Sequence, residues 1–200
     1  MTHLIFRTRP ARERLRRAAD LAIASAALIL TAPILLAAAA AIAIEDRGPV
    51  VFAQRRVGRY GRLFTMFKFR TMRADACDDR LKPRTSSDDR ITRVGRILRK
   101  TSIDELPELI NVLRGEMAII GPRPEMPFLV RQYERWQHLR HLAKPGITGL
   151  WQATCRGDVP LQRPEATLVD LEYIRRASVA FDVLIIAQTV RALTSPRGVV

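Results

Sequence analysis

Residues 101–117 read TSIDELPELINVLRGEM, and the periodicity of this stretch decides how the chain around it is read. Leu106, Leu109, Ile110 and Leu113 recur at i, i+3, i+4 and i+7, the spacing of one apolar helix face. Gly115 stands where a helix commonly closes in a left-handed turn. Pro107 lacks an N–H and is tolerated only in a first turn, so the spacing predicts a helix beginning near residues 103–104. Asp104 and Glu105 then lie at the positive end of the helix dipole, which favours their ionised forms. Arg93, Arg96, Arg99 and Lys100 precede them, and GPRP (residues 121–124) follows. A carboxylate pair ringed by arginines suits metal-assisted chemistry at phosphate. The acids hold a cation or attack phosphorus, and the guanidinium groups grip phosphate oxygens in pairs. A plainer reading also fits: Ser102 and Glu105 match S-x-x-E, a capping box, and acids at a helix start are ordinary. These residues alone leave both readings open.

Composition narrows the partners. The 200-residue chain has room for one domain with a core, and 34 basic against 20 acidic residues give a net charge of +14. That sign calls for an anionic partner: nucleic acid, lipid headgroups or a phosphorylated substrate. Aromatic content is only 6%, and no nucleic-acid-binding motif is present, so nucleic acid is not a partner on this reading. Cys77 and Cys155 match no metal or redox spacing and read as reduced thiols.

The N-terminal third has the clearest segmentation. Residues 1–17 form a basic arm, in which Arg7, Arg9, Arg12, Arg14, Arg16 and Arg17 meet only Glu13. Residues 21–44 follow as an alanine-rich apolar run of about 24 residues, long enough to span a bilayer and longer than the apolar part of a signal peptide. Two features oppose a simple span. Pro33 removes a helix hydrogen bond near the middle, and Arg47, Arg55, Arg56 and Arg59 make the second flank as basic as the first. A helix–break–helix over residues 18–46 that dips in and returns satisfies both. Each arm of about 12 residues reaches about 18 Å. Residues 47–200 form the remaining unit.

Residues 50–57 and 63–70 are predicted strands joined by the turn GRYG (residues 58–61). Residues 73–89 read as a polar loop, whose Asp78, Asp79, Asp88 and Asp89 are solvated rather than metal-bound. Residues 117–120 are predicted as a buried strand or turn, and residues 125–143 as one amphipathic helix, with Leu129, Tyr133 and Trp136 on a face. His138 and His141 permit a metal pair but have no third ligand in sight. Gly146 and Gly149 allow the backbone to approach a ligand closely. Residues 181–193 form an apolar helix too short to span.

Several of these segments together carry a resemblance. RITRVGRILRKTSIDELPELINVLRGEMAIIGPRP (residues 90–124), KFRTM (residues 68–72), KPGITGLWQ (residues 144–152) and the later Asp170, Tyr173 and Asp182 closely resemble, in order, the signature of the bacterial sugar transferases. These belong to the monotopic phosphoglycosyl transferase superfamily, and the chain is similar to its minimal catalytic form, without the additional membrane domain of larger members. The resemblance implies an α+β, mostly helical fold. It has an N-terminal re-entrant membrane helix broken at Ala32-Pro33 and a small catalytic domain with a β-hairpin and interfacial amphipathic helices. It implies transfer of a sugar 1-phosphate from a UDP-sugar to a polyprenyl (undecaprenyl) phosphate with release of UMP, at the cytoplasmic face of a bacterial inner membrane. That is the first membrane step of exopolysaccharide, O-antigen or glycoprotein glycan assembly. Asp104 becomes the nucleophile that forms a covalent phosphosugar ester, and Glu105 a ligand to Mg²⁺ alongside it or an orienting group. Lys68, Arg70, Arg99, Arg123, Pro124, Gln152 and Arg156 become contacts for phosphate and nucleotide. Family members usually carry Ser-Pro at the membrane break and Gly-Arg-Asn near residue 156. Here Ala32 precedes Pro33, while Cys155 and Gly157 flank Arg156, a departure that falls where the resemblance implies contacts to the sugar. A basic membrane scaffold that binds a nucleotide sugar or anionic lipid without turnover stays as the alternative, against which the intact Asp-Glu pair weighs. Neither the sugar nor an oligomeric state is legible.

Overall fold

The computed structural model describes residues 10–76, 88–155, 161 and 163–194. Arg156, Gly157, Cys77, Asp78, Asp79, Arg7 and Arg9 lie outside them.

Helix α1 runs over Pro10–Glu45, 36 residues or about 54 Å at 1.5 Å per residue. It absorbs the basic stretch from Pro10 onward, so the expected arm and apolar run are one element. It also continues through Ala32 and Pro33, where the sequence predicts a break. One proline removes one backbone hydrogen bond, and the alanine-rich turns on either side, the best helix formers, carry the helix past it. Thr31 Oγ1 donates to the Ala27 carbonyl at 2.7 Å. Much of the apolar surface of α1 faces outward, including Ile29, Leu30, Leu36 and Ile44. Among the described residues α1 is the helix long and apolar enough to cross a membrane.

Strands β1 (Val51–Val57) and β2 (Leu63–Phe69) form the predicted antiparallel hairpin, with Val57 opposite Leu63 and Val51 opposite Phe69. The connecting Tyr60 sits at φ 57°, a left-handed conformation that the GRYG turn requires. Helix α2 (Arg93–Thr101) is capped by Thr92, whose side chain accepts from the Gly95 amide. Gly95 lies against the Thr71 carbonyl so closely that a Cβ there would fall 2.1 Å from the oxygen.

The decisive stretch divides in two. Residues Ile103–Glu105 form a 3₁₀ turn, and α3 occupies only Glu108–Arg114, with Pro107 at its N-cap. The helix starts later than the spacing predicts, because Ser102 takes a left-handed conformation (φ 56°) that redirects the chain after α2. Gly115 closes α3 at φ 82°, as predicted.

A second sheet was not foreseen. Strand β3 (Ala118–Ile120) pairs in parallel with β4 (Gly146–Thr148). The reason is steric: a Cβ on Gly146 would lie 2.0 Å from the Gly121 nitrogen, and one on Gly149 2.2 Å from the Gly121 carbonyl oxygen. These glycines therefore admit neighbouring backbone, where the sequence suggests a ligand. The single helix expected over residues 125–143 is also divided, into α4 (Pro127–Val130) and a 3₁₀ segment, Arg135–Leu142. Glu134 is extended and exchanges caps with Gln137, which restarts the chain there. Helices α5 (Leu150–Thr154), α6 (Pro164–Arg176) and α7 (Val179–Thr194) complete the order.

The core lies between α1 and the hairpin. Ala24 of α1 joins Phe64, Met66, Leu109, Val112 and Met117, while Ala38 and Ile42 join Phe69 and Leu98. Polar ties fix both ends of α1 to this same body. The Arg17 guanidinium donates to the Val112 and Leu113 carbonyls at the C-terminus of α3, and Asp20 accepts from the Ile119 amide. At the other end Glu45 accepts from the Arg93 and Val94 amides at the start of α2.

Candidate active site

Three elements bring the charged residues together. Lys68 projects from the end of β2, Asp104 and Glu105 from the 3₁₀ turn before α3, and Arg123 from the turn after β3. Lys68 Nζ donates to Glu105 Oε1 at 2.6 Å, and Arg123 reaches the same oxygen at 2.8 Å. Glu105 is thus occupied by two cations on one oxygen, while among the described residues nothing donates to Oε2. The capping box with Ser102 does not form, because Ser102 is left-handed and makes no side-chain cap. Burial opposes ionisation of Glu105, but Arg123 and Lys68 outweigh it and hold the carboxyl well below its usual range.

Asp104 differs from its neighbour. No described residue donates a hydrogen bond to its carboxyl, so its lone pairs remain available. Burial pushes its pKa up, opposed by the charges of Lys68, Arg99 and Arg123. Arg99 is aimed by Thr71, whose hydroxyl accepts from its Nε at 2.8 Å. The pair therefore splits into a tethered carboxylate and an open one.

Glu108 is a member of this cluster that sequence reasoning missed. It is 1% exposed, lies 3.1 Å from Lys68 Nζ, and is pushed up by burial and by the Glu105 charge. Its signal was present, since Glu108 follows Asp104 by four residues and Glu105 by three, the spacings of helix neighbours. Asn111 was missed too. Fully buried, it accepts from the Phe67 amide and donates to the Thr65 carbonyl, so a side chain of α3 completes the open edge of β2 and fixes the turn carrying Asp104 against Lys68.

The turn holding Arg123 is clamped at nearly every carbonyl. Tyr173 donates to Ile120, the Gly146 amide to Pro122, Arg140 to Arg123, Arg56 to Pro124 and the Val57 amide to Glu125. Arg140 is itself 2% exposed, paired with Asp170 at 2.5 Å and hydrogen-bonded to Tyr133. Burial lowers Arg56 to about 10, with the Arg123 charge adding to the fall. Buried guanidinium groups that hold backbone rather than substrate are invisible to a motif reading.

Other expected residues lie elsewhere. Arg70 is buried against Asp46 at the end of α1, donating to its carbonyl and lying 3.4 Å from its carboxylate. Gln152, in α5, turns back on the preceding strand β4, donating to the Ile147 carbonyl at 2.7 Å. Pro124 contributes a carbonyl to Arg56. His141 stacks on Tyr133 and His138 meets the same ring edge-on, and burial lowers His141 to about 4. Among the described residues no cluster of three His, Cys, Asp or Glu is arranged to hold a metal.

The placement of Arg70 leads to a direct expectation. Arg70→Met removes a buried tie between β2 and the end of α1, at a cost of about 2–3 kcal/mol given that Asp46 keeps access to solvent. Thermal unfolding in detergent should fall by several degrees, with kcat/KM of the folded fraction unchanged within about threefold. A hundredfold loss at an unchanged midpoint would place Arg70 in the chemistry instead.

Comparison with known proteins supplies the family. The sequence model of the family described as bacterial sugar transferase matches residues 11–196. The chain belongs to that family. It is 43% identical over 182 residues to the UDP-glucose:undecaprenyl-phosphate glucose-1-phosphate transferase of Escherichia coli (strain K12), covering 88% of this chain and 39% of that protein. It is 38% identical over 191 residues to a UDP-N-acetylgalactosamine-undecaprenyl-phosphate N-acetylgalactosaminephosphotransferase of Aeromonas hydrophila, covering 92% of this chain and 44% of the other. It is 39% identical over 195 residues to the exopolysaccharide production protein PSS of Rhizobium leguminosarum bv. phaseoli, covering 92% and 98%. The chain spans about two fifths of the length of the first two relatives and nearly all of the third.

Proposed function

We propose that the protein is a phosphoglycosyl transferase that moves a sugar 1-phosphate from a UDP-sugar to a polyprenyl phosphate and releases UMP. The observation that carries this reading is the split carboxylate pair: an open Asp104 beside a Glu105 held by Lys68 and Arg123. An Asp104 oxygen attacks the phosphorus next to the sugar. The bond from that phosphorus to the bridging oxygen breaks, and UMP leaves with the electron pair. An oxygen of the polyprenyl phosphate then attacks the same phosphorus and frees the Asp104 carboxylate. A covalent route lets one site receive a soluble donor and a lipid acceptor in turn. Lys68, Arg99 and Arg123 offset the charge of the diphosphate, and Arg156 is a further candidate in sequence. The open Asp104 carboxyl and the free Oε2 of Glu105 fit Mg²⁺, which takes one or two protein carboxylates and fills its shell with water and phosphate oxygens. When bound, the ion neutralises charge on the diphosphate.

The same reading places the chain on the cytoplasmic face of a bacterial inner membrane, with α1 bending at Pro33, where a helix kinks without ending, so that both its ends stay on one side. What supports this is that Arg17 and Asp20 before the apolar run, and Glu45 and Asp46 after it, are tied to one body. A crossing would carry one set of ties away from its partners. Cysteines at Arg14 and Arg47, in a background lacking Cys77 and Cys155, should both resist an impermeant thiol reagent in intact cells. Labelling at position 14 alone would mean that α1 spans. Residues 47–200 then form the catalytic unit.

The reaction itself is tested by incubating purified protein with undecaprenyl phosphate, Mg²⁺ and a panel of UDP-sugars, including UDP-glucose and UDP-N-acetylgalactosamine. UMP release that depends on one donor supports the reading and names the sugar. Tight donor binding without UMP would favour the scaffold.

A further inference from the structure

Outside the charged cluster lies an apolar crevice. It has a volume of about 240 Å³, and no polar atom faces it. Its walls come from both sides of Pro33 in α1, through Leu28, Leu35 and Ala39, and from Val50 at the start of the hairpin. Pro107 and Ile110 close it on the third side. These last two belong to the segment that carries Asp104, so the crevice begins three residues from the open carboxylate.

We infer that this crevice seats the first isoprenoid units of the acceptor. The inference rests on the proposed function and deepens it. A ligand spanning crevice and cluster must be anionic at one end and apolar immediately beside it. Lys68, Arg99 and Arg123 meet the head, and the dry wall of Leu28, Leu35, Ala39 and Pro107 meets the chain. A prenyl phosphate joins its phosphate directly to the hydrocarbon. A phospholipid instead separates the two by a glycerol unit. The crevice also explains why α1 must pack as it does around Pro33: the acceptor leaves the bilayer along a helix whose outer face is apolar, and is led to the nucleophile without its chain meeting water.

The two half-reactions separate the test from the function it rests on. Ala39→Trp fills the crevice from α1, and Val51→Trp narrows it from the exposed start of β1, so one variant survives if the other fails to fold. Each is assayed with the UDP-sugar that supports turnover. The first readout is exchange of labelled UMP into that donor without acceptor, and the second is transfer to undecaprenyl phosphate. UMP exchange should stay within about twofold of the parent, while KM for undecaprenyl phosphate rises tenfold or more. Unchanged KM in a folded variant would overturn the inference. Equal loss of both half-reactions would do the same, since the crevice would then only support the fold. A weaker hold on phosphatidylglycerol vesicles with unchanged acceptor KM would assign the crevice to bilayer lipid and overturn it too. Absence of UMP exchange in the parent is a different result, and would refute the proposed reaction.

Discussion

Asp104→Asn is expected to lower turnover more than a thousandfold while leaving the fold in place. The amide matches the carboxylate in shape, and no described residue donates to Asp104, so no hydrogen bond is broken by the change. What disappears is the oxygen nucleophile, and a thousandfold corresponds to about 4 kcal/mol of barrier. UMP release and the mass of the peptide containing residue 104 after incubation with donor alone check the point together. The parent should carry a phosphosugar adduct and the variant none. Retention of more than about a thousandth of the parent rate would assign the attack to another group. The pH profile gives an independent check. Attack needs the ionised carboxyl, and burial pushes Asp104 up, so the acid limb of the rate should lie above the ordinary aspartate value near 3.9. The stability linkage runs the other way. A carboxyl raised in the folded state stabilises the fold most below its unfolded pKa, and that contribution is lost as pH rises through the folded value. Asp104 is therefore ionised at some cost to stability, which is common where a group serves chemistry.

Arg123→Ala should cost about 10²–10³-fold in kcat/KM, or roughly 3–4 kcal/mol, the range for one preorganised donor facing developing charge. The loss should be local. The carbonyls of residues 120 and 122–125 are held by Tyr173, Gly146, Arg140, Arg56 and Val57, and none of those bonds uses the Arg123 side chain. Glu105 keeps Lys68 but loses its second cation, so its carboxyl, now well below the usual range, should move upward. Arg123→Lys restores the charge without the planar fork and should recover only part of the rate. An alanine variant within tenfold of the parent would leave Arg123 as a strut for Glu105 and nothing more.

Local features were legible in the sequence because they depend on neighbours a few residues away. The hairpin over residues 51–69, the Gly115 helix end and the charge around Asp104 follow from alternation, turn chemistry and spacing. The apolar run of α1 follows from composition. The order of motifs carried the family, and with it Lys68, Glu105 and Arg123. Tertiary structure alone decided what those charges do to one another. That Glu105 is tethered and Asp104 left open depends on β2 and the residue-123 turn arriving on the same side of the 3₁₀ turn, which no local pattern encodes. The same holds for Arg70, which sits in a motif with Lys68 but lies just past the end of β2 and ties down Asp46. It holds for Gly121, Gly146 and Gly149, whose missing side chains serve a parallel pairing between strands far apart in the chain. It holds most for Arg56, Arg140 and Asp170. A buried ion needs a partner brought by the fold, so its role is set by long-range contact and by low dielectric, neither of which exists until the chain has folded.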